Sequence, residues 1–336
     1  MSALIDSHAP ASPTLGGPTG SHDEAVRRLR SAMAPVRLSF TWFGLTKSLN
    51  AEQKARAAAT FEADAPFVSA GKKLWDSKAP AFRAVSAVRT KIVESWCGMS
   101  LPFPEPGVRL LRRDQVEAFL ALMTDYRVEL ADAVAELDRH YAELRASAAR
   151  QLGDLYDPND YPATLAGLFD VSWDFPNIEP PGYLLALSPA LYREEQRRVR
   201  QRFDEAVRLA EEAFLAEFAR LVGHLTERLG TEADGTPRVF RDSAVGNLSA
   251  FFERFRQLDV RSHEQLDALV TEAQRIVRGL GPQDLRDQGA LRQHVAERLG
   301  RVRDELQTLV VERPRRRVLR GPSPSPSPSP SPSSEG

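Results

Sequence analysis

The chain has 336 residues, of which 42% are hydrophobic and 27% charged, with a formal net charge of −1. That balance suits a globular protein with a sizeable core and gives the whole chain no bulk electrostatic pull toward nucleic acid or anionic membrane. One cysteine, Cys97, excludes an internal disulfide, and no stretch approaches the ~18 apolar residues of a membrane span.

Residues 1–20 are rich in Ala, Ser, Pro and Gly and read as a disordered N-terminus without the basic start and apolar run of a secretory signal. The cytoplasm is the expected compartment. An N-terminal α/β segment then spans 21–112. It begins with a short helix near Asp23–Met33, stopped by Pro35. The alternation in Val36-Arg37-Leu38-Ser39-Phe40-Thr41-Trp42-Phe43 predicts a strand. Ala51–Asp64 is Ala-rich and helical. Over 80–97, Phe82, Val85, Val88, Ile92 and Trp96 recur at helical spacing, and Cys97 reads as a buried structural thiol beside Trp96. Val108–Leu111 is a short strand after a Pro-rich loop.

A long helix is predicted over 113–152, opening near Asp114. Val116, Leu120, Met123, Leu130, Val134, Leu137, Tyr141, Leu144 and Ala148 follow the alternating three- and four-residue steps of a coiled-coil seam, with Arg127 at one polar position. The segment 154–187 carries five prolines and a predicted strand, Val171-Ser172-Trp173-Asp174-Phe175, with Tyr183–Leu187 as a candidate mate. Ser188-Pro189 opens a second long helix, 188–229, as N-cap and first helical residue. Its stripe runs from Val199 through Phe203, Phe214 and Phe218 to Leu229. Matching lengths predict an antiparallel coiled-coil hairpin over 113–229 with a small β/loop cap at 154–187. Trp173, Phe175 and Tyr183 in that cap are the candidate partner-binding residues.

Three further helices, near 243–257, 262–279 and 283–312, predict a C-terminal bundle over 237–312 packed on the hairpin base. Ser262 and Gln265 suggest a capping box. The predicted fold is thus mainly α. Residues 313–336 form an Arg-rich then Ser-Pro tail, expected to be disordered. Its Arg315, Arg316, Arg317 and Arg320 are candidate anion or nucleic-acid contacts, which makes a nucleic-acid-associated protein the alternative reading. Their plain reading is a basic helix C-terminus favourable to the dipole.

No phosphate loop, nucleophile elbow or His-Glu-x-x-His occurs. The six histidines are scattered, though His140 and His224 would approach each other in the expected hairpin. Asp154, Asp157 and Asp160 cluster in a turn but lack the central Gly and distal Glu of a calcium loop, so turn chemistry explains them. No catalytic, cofactor or metal residue is assigned, and the chain reads as non-enzymatic.

Several strings taken together carry a resemblance. They are Thr41-Trp42-Phe43-Gly44, Gly71-Lys72-Lys73-Leu74-Trp75-Asp76 leading to Phe82, Gly107-Val108-Arg109, and Val239-Phe240-Arg241-Asp242-Ser243 with Asn247. Over roughly 36–310 the chain resembles an uncharacterised bacterial and phage family, catalogued as a domain of unknown function. Members are sometimes encoded beside MoxR-type AAA+ ATPases and von Willebrand factor A proteins. The resemblance therefore implies an adaptor with a protein partner, such as an AAA+ ATPase, and no catalytic residue to carry over.

Overall fold

A computed structural model describes residues 19–230, 238, 241–258 and 263–312. The N-terminal part runs α1 (Thr19–Ala32), β1 (Met33–Trp42), β2 (Thr46–Ser48), α2 (Ala51–Thr60), β3 (Gly71–Lys73), α3 (Pro80–Met99), β4 (Ser100–Pro102) and β5 (Val108–Arg112). The middle holds α4 (Val116–Arg139), α5 (Tyr141–Leu152), β6 (Phe169–Asp174), α6 (Tyr183–Leu187) and α7 (Pro189–Leu229). The chain continues through α8 (Ser243–Leu258), α9 (Glu264–Val277), α10 (Pro282–Asp287) and α11 (Gly289–Glu312). It is mainly helical with a small antiparallel sheet.

That sheet, in the order β4-β5-β1-β6, is a wall between two cores. Strand residues alternate between faces, so one strand can serve both sides. Val36 and Leu38 of β1, Leu111 of β5, and Phe169 and Val171 of β6 face the core built with α3 and α4. Leu101 of β4 and Val108 and Leu110 of β5 join the other core, built on α1 and α7–α11. The registers Leu101↔Leu110 and Phe40↔Val171 keep each set on its own face. The small β2–β3 ribbon stands apart, followed downstream by the buried Leu74 and Trp75.

Helix starts follow local chemistry. Asn50 caps α2 in both directions: its Oδ1 accepts from the Gln53 N–H at 2.8 Å, and its own N–H donates to Gln53 Oε1 at 3.2 Å. Ser188 caps α7 as expected, its Oγ accepting from the Leu191 N–H at 3.3 Å, with Pro189 behind it. At the far end of α7, the buried guanidinium of Arg292 from α11 donates to the carbonyls of Leu229 and Arg228, both at 2.9 Å, and of Arg238 at 2.6 Å. An arginine thus closes the C-terminus of a 41-residue helix where the dipole favours a cation.

The expected antiparallel hairpin does not match the observed packing. α4 packs chiefly on α3 and β6, whereas α7 packs on α11, α1 and α8. The two stripes even lie in different cores. A three-four spacing specifies that a helix has an apolar face but not which element covers it. Arg127, the polar residue in the first stripe, reaches β6, where its guanidinium makes two bonds to Asp170 at 2.9 and 2.8 Å. His140, between α4 and α5, and His224, on α7, accordingly belong to elements of different cores.

Four further expectations change. The first long helix is interrupted at His140, whose N–H turns back to Leu137 O at 3.2 Å in a tighter turn. No Gly or Pro causes this. Tertiary demand does: Asp138 uses its carboxylate to accept from Leu165 N and Thr164 Oγ1, at 2.7 and 2.8 Å, while Tyr141 turns into the core edge-on to Trp75. The mate of the 171–175 strand is β1, not Tyr183–Leu187, which is the short helix α6. The segment 154–187 is therefore no hairpin cap but supplies one edge strand of the sheet, β6. The helix expected over 283–312 is divided at Gln288 into α10 and α11. The cap of α9 is His263, whose Nδ1 accepts from Leu266 N at 3.1 Å, whereas Ser262 lies outside the described residues. Outside them too are nearly all of the expected N-terminal disordered stretch, the 231–237 linker, and the whole Arg-rich and Ser-Pro tail.

Candidate functional site

Between β6 and α7 the chain passes from one core to the other. Val171 is buried on the α3–α4 side, and Ile178 is buried among the helices of α7. The crossing is pinned at Glu179, whose carboxylate takes both Nε, at 2.8 Å, and Nη2 of Arg30 from α1. Asn177 Oδ1 accepts from the Glu179 N–H at 2.9 Å and shapes the turn. Pro180 and Pro181 then stiffen the approach to α6, a helix of five residues.

Short as it is, α6 cannot bury its side chains. Tyr183-Leu184-Leu185-Ala186-Leu187 is a continuous apolar run, and only Leu184 is half-buried. Tyr183 is 64% exposed and Leu187 74%. Phe175, just beyond β6, and Leu191, in the first turn of α7, are exposed as well. Among the described residues nine large apolar side chains are exposed, and five of them lie in 175–191. Scattered single exposures are ordinary, but five within seventeen residues mark a segment whose apolar surface is left uncovered by the described residues.

Of the sequence-derived candidates, Phe175 and Tyr183 fall on this surface. Trp173 does not: it stands opposite Leu38 in the sheet and packs partly buried against the α3–α4 core. Arg315, Arg316, Arg317 and Arg320 lie outside the described residues. Leu185, Leu187 and Leu191 complete the surface and lie outside the sequence-derived candidates. The signal was present, since five consecutive apolar residues between Pro181 and Ser188-Pro189 exceed what one turn of helix can turn inward.

The acidic turn at 154–160 resolves into structural bonds. Asp160 is buried and receives Lys72 Nζ on Oδ2 and Lys47 Nζ on Oδ1, both at 2.6 Å. Lys72, equally buried, also donates to Leu155 O at 2.5 Å. Burial alone would raise the Asp160 pKa, but the two ammonium groups outweigh it and hold the carboxyl below its usual range. Asp157 Oδ1 accepts from Asn159 N at 2.9 Å as a turn cap. Next to this knot, Tyr161 donates to Leu74 O at 2.7 Å, and burial pushes its phenol up to about 12. Tyr141, also buried, is pushed to about 12, and its hydroxyl has no hydrogen-bond partner among the described residues.

Among the described residues no three His, Cys, Asp or Glu side chains come together as metal ligands. No described helix is long and apolar enough to cross a membrane. The chain matches no protein-family model, no curated protein and no solved structure.

Proposed function

We propose that this protein is a non-enzymatic cytoplasmic adaptor that binds a protein partner through the apolar surface at 175–191. The observation carrying the reading is the clustering there of exposed Phe175, Tyr183, Leu185, Leu187 and Leu191. The three from α6 sit between two anchors, Glu179–Arg30 and the Ser188 cap, while Phe175 and Leu191 flank them at the ends of β6 and α7. A partner would therefore meet a largely preformed surface and lose little conformational entropy in ordering it. Covering the three most exposed residues would contribute on the order of 5 kcal/mol before the cost of association. The resemblance makes a MoxR-type AAA+ ATPase the first partner to test.

The experiment places a photo-crosslinking amino acid at position 183 in the full chain, in its native cells. A discrete adduct with one protein, identified by mass and lost in Leu187→Glu and Leu191→Glu, is the expected result. No adduct, or an adduct indifferent to both glutamates, would reject the proposal. An adduct between two copies of the chain would make the surface a self-association site instead.

A further inference from the structure

A second feature lies away from that surface, where the two cores meet. A cleft of about 560 Å³ opens between α3, β4 and β5 on one side and α7 and α8 on the other. That size is within the usual range for a small-molecule site. Its apolar wall includes Leu101, Ala210 and Phe214, and its polar lining includes Arg109, Arg220, Arg254 and Asn247. Arg109 and Asn247 come from two segments far apart in sequence, each conspicuous on its own, and the fold brings them to one cavity.

The charges in the cleft are incompletely matched. Arg254 is paired with Glu217 and lies over the ring of Phe251. Arg109 has no carboxylate. Its Nε donates to Ser100 Oγ and its Nη2 to Ser100 O, both at 2.8 Å, and Nη2 also to Cys97 O at 3.4 Å, while its guanidinium lies over the Trp96 ring. Nη1 of Arg109 is left without a partner among the described residues. Burial lowers the Arg109 pKa from its usual value, and the charge of Arg254 lowers it further. Arg220 and the Asn247 side chain likewise make no hydrogen bond or ion pair with any described residue. Glu94, exposed at the lip, is the one lining carboxylate not bound to an arginine. Arg109 is a partly desolvated guanidinium with free donors, and the exposed Arg220 and Asn247 beside it add theirs, so β5, α7 and α8 together offer the cleft donors for an anion.

We infer that this cleft binds a small organic oxyanion, a carboxylate or phosphate monoester carrying an apolar body. The oxyanion accepts from Arg109, Arg220 and Asn247, and the body lies against Leu101, Ala210 and Phe214. Arginine's planar fork suits either oxyanion, so the two classes are separated by experiment. The ligand thereby bridges β4 and β5 to α7 and α8.

Calorimetric titration of the full chain with benzoate, phenyl phosphate and inorganic phosphate, at matched ionic strength, tests the inference. Cys97, the chain's sole cysteine, is exposed and lines the cleft, so its alkylation by neutral iodoacetamide gives a second readout. Saturable one-to-one binding of benzoate or phenyl phosphate, with slowed Cys97 alkylation, is expected. The tighter of the two identifies the oxyanion. The exposed variants Arg220→Gln and Asn247→Leu should each weaken binding by about tenfold while the fold persists. Glu94→Gln should tighten it by removing a like charge, an effect no merely structural role would produce. Absence of saturable binding for all three probes up to about 10 mM, or affinity unchanged in both Arg220→Gln and Asn247→Leu, overturns the inference.

Discussion

The two cores on either side of the sheet are built by different rules. The helical one, around α7, is filled with phenylalanine: Phe218 stacks on Phe251 at 5.1 Å, and Phe214 meets Phe255 edge-on at 5.0 Å. Among the described residues Arg292 is its one buried charge, and it serves a helix end. The sheet-side core instead mixes Trp75, Tyr141 and Tyr161 with the buried Lys72–Asp160 pair. Packing shape holds the first together, and directional bonds between distant segments specify the second. The wall between them is shared, so neither half is closed without the other's strand residues.

The largest expected effect tests that sharing. Phe218→Ala on the helical side and Phe119→Ala on the sheet side each empty a fully buried ring and should each cost about 4 kcal/mol. All four tryptophans, Trp42, Trp75, Trp96 and Trp173, lie in the sheet half, so their fluorescence reports that half, while helical circular dichroism reports mostly the other. Urea unfolding should give coincident curves by both probes, with Phe218→Ala moving the two together. If dichroism shifts and fluorescence stays in place, the cores are independent units.

A smaller effect separates the two rules. Asp160→Asn leaves Lys72 buried against an uncharged partner and should cost about 3 kcal/mol at neutral pH. Because the folded-state pKa of Asp160 is depressed, its contribution is complete above the unfolded value of about 3.9. It is lost as pH falls through the lower folded value. The gap between wild type and Asp160→Asn should therefore close on acidification. A gap that persists undiminished at pH 2 would mean that packing, not charge, is what Asp160 provides.

The same contrast governs how much of the molecule the sequence discloses. The stripes Phe82–Ile92, Val116–Leu137 and Val199–Leu229 are readable because an amphipathic helix repeats its apolar residues every three or four positions. The partners of those stripes are not readable, and the expected hairpin shows why: both helices had seams of similar length, yet one was covered by α3 and the other by α11. Lys72 to Leu155 and Tyr161 to Leu74 are single bonds across 83 and 87 residues, with no local pattern to announce them. Cys97 shows the same limit from another side. Beside Trp96 it reads as core, but the roughly 100° between adjacent helix positions decides the matter, and the thiol faces out at the cleft. Phe175 and Tyr183 were legible as aromatic residues in a Pro-rich connection, whereas Arg109 and Asn247 acquire a common setting only once the two cores are assembled.

Two buried tyrosines give the finest test of directional bonding in the sheet half. Tyr161 donates to Leu74 O, so Tyr161→Phe orphans a carbonyl and should cost about 1 kcal/mol at pH 7. The Tyr141 hydroxyl is buried without a partner, so Tyr141→Phe removes an uncompensated group and should stabilise by about 1 kcal/mol. In alkali the two variants should behave alike. Both phenols titrate near 12 when folded and near 10 when unfolded, so each contributes stability fully below pH 10 and loses it as pH rises toward 12. Either substitution should flatten the fall in unfolding free energy over that window, by no more than about 1.4 kcal/mol per pH unit. Opposite signs at neutral pH with the same flattening in alkali would separate the hydrogen bond from the burial. Equal losses from both substitutions at pH 7 would show that the Tyr141 hydroxyl is bonded after all.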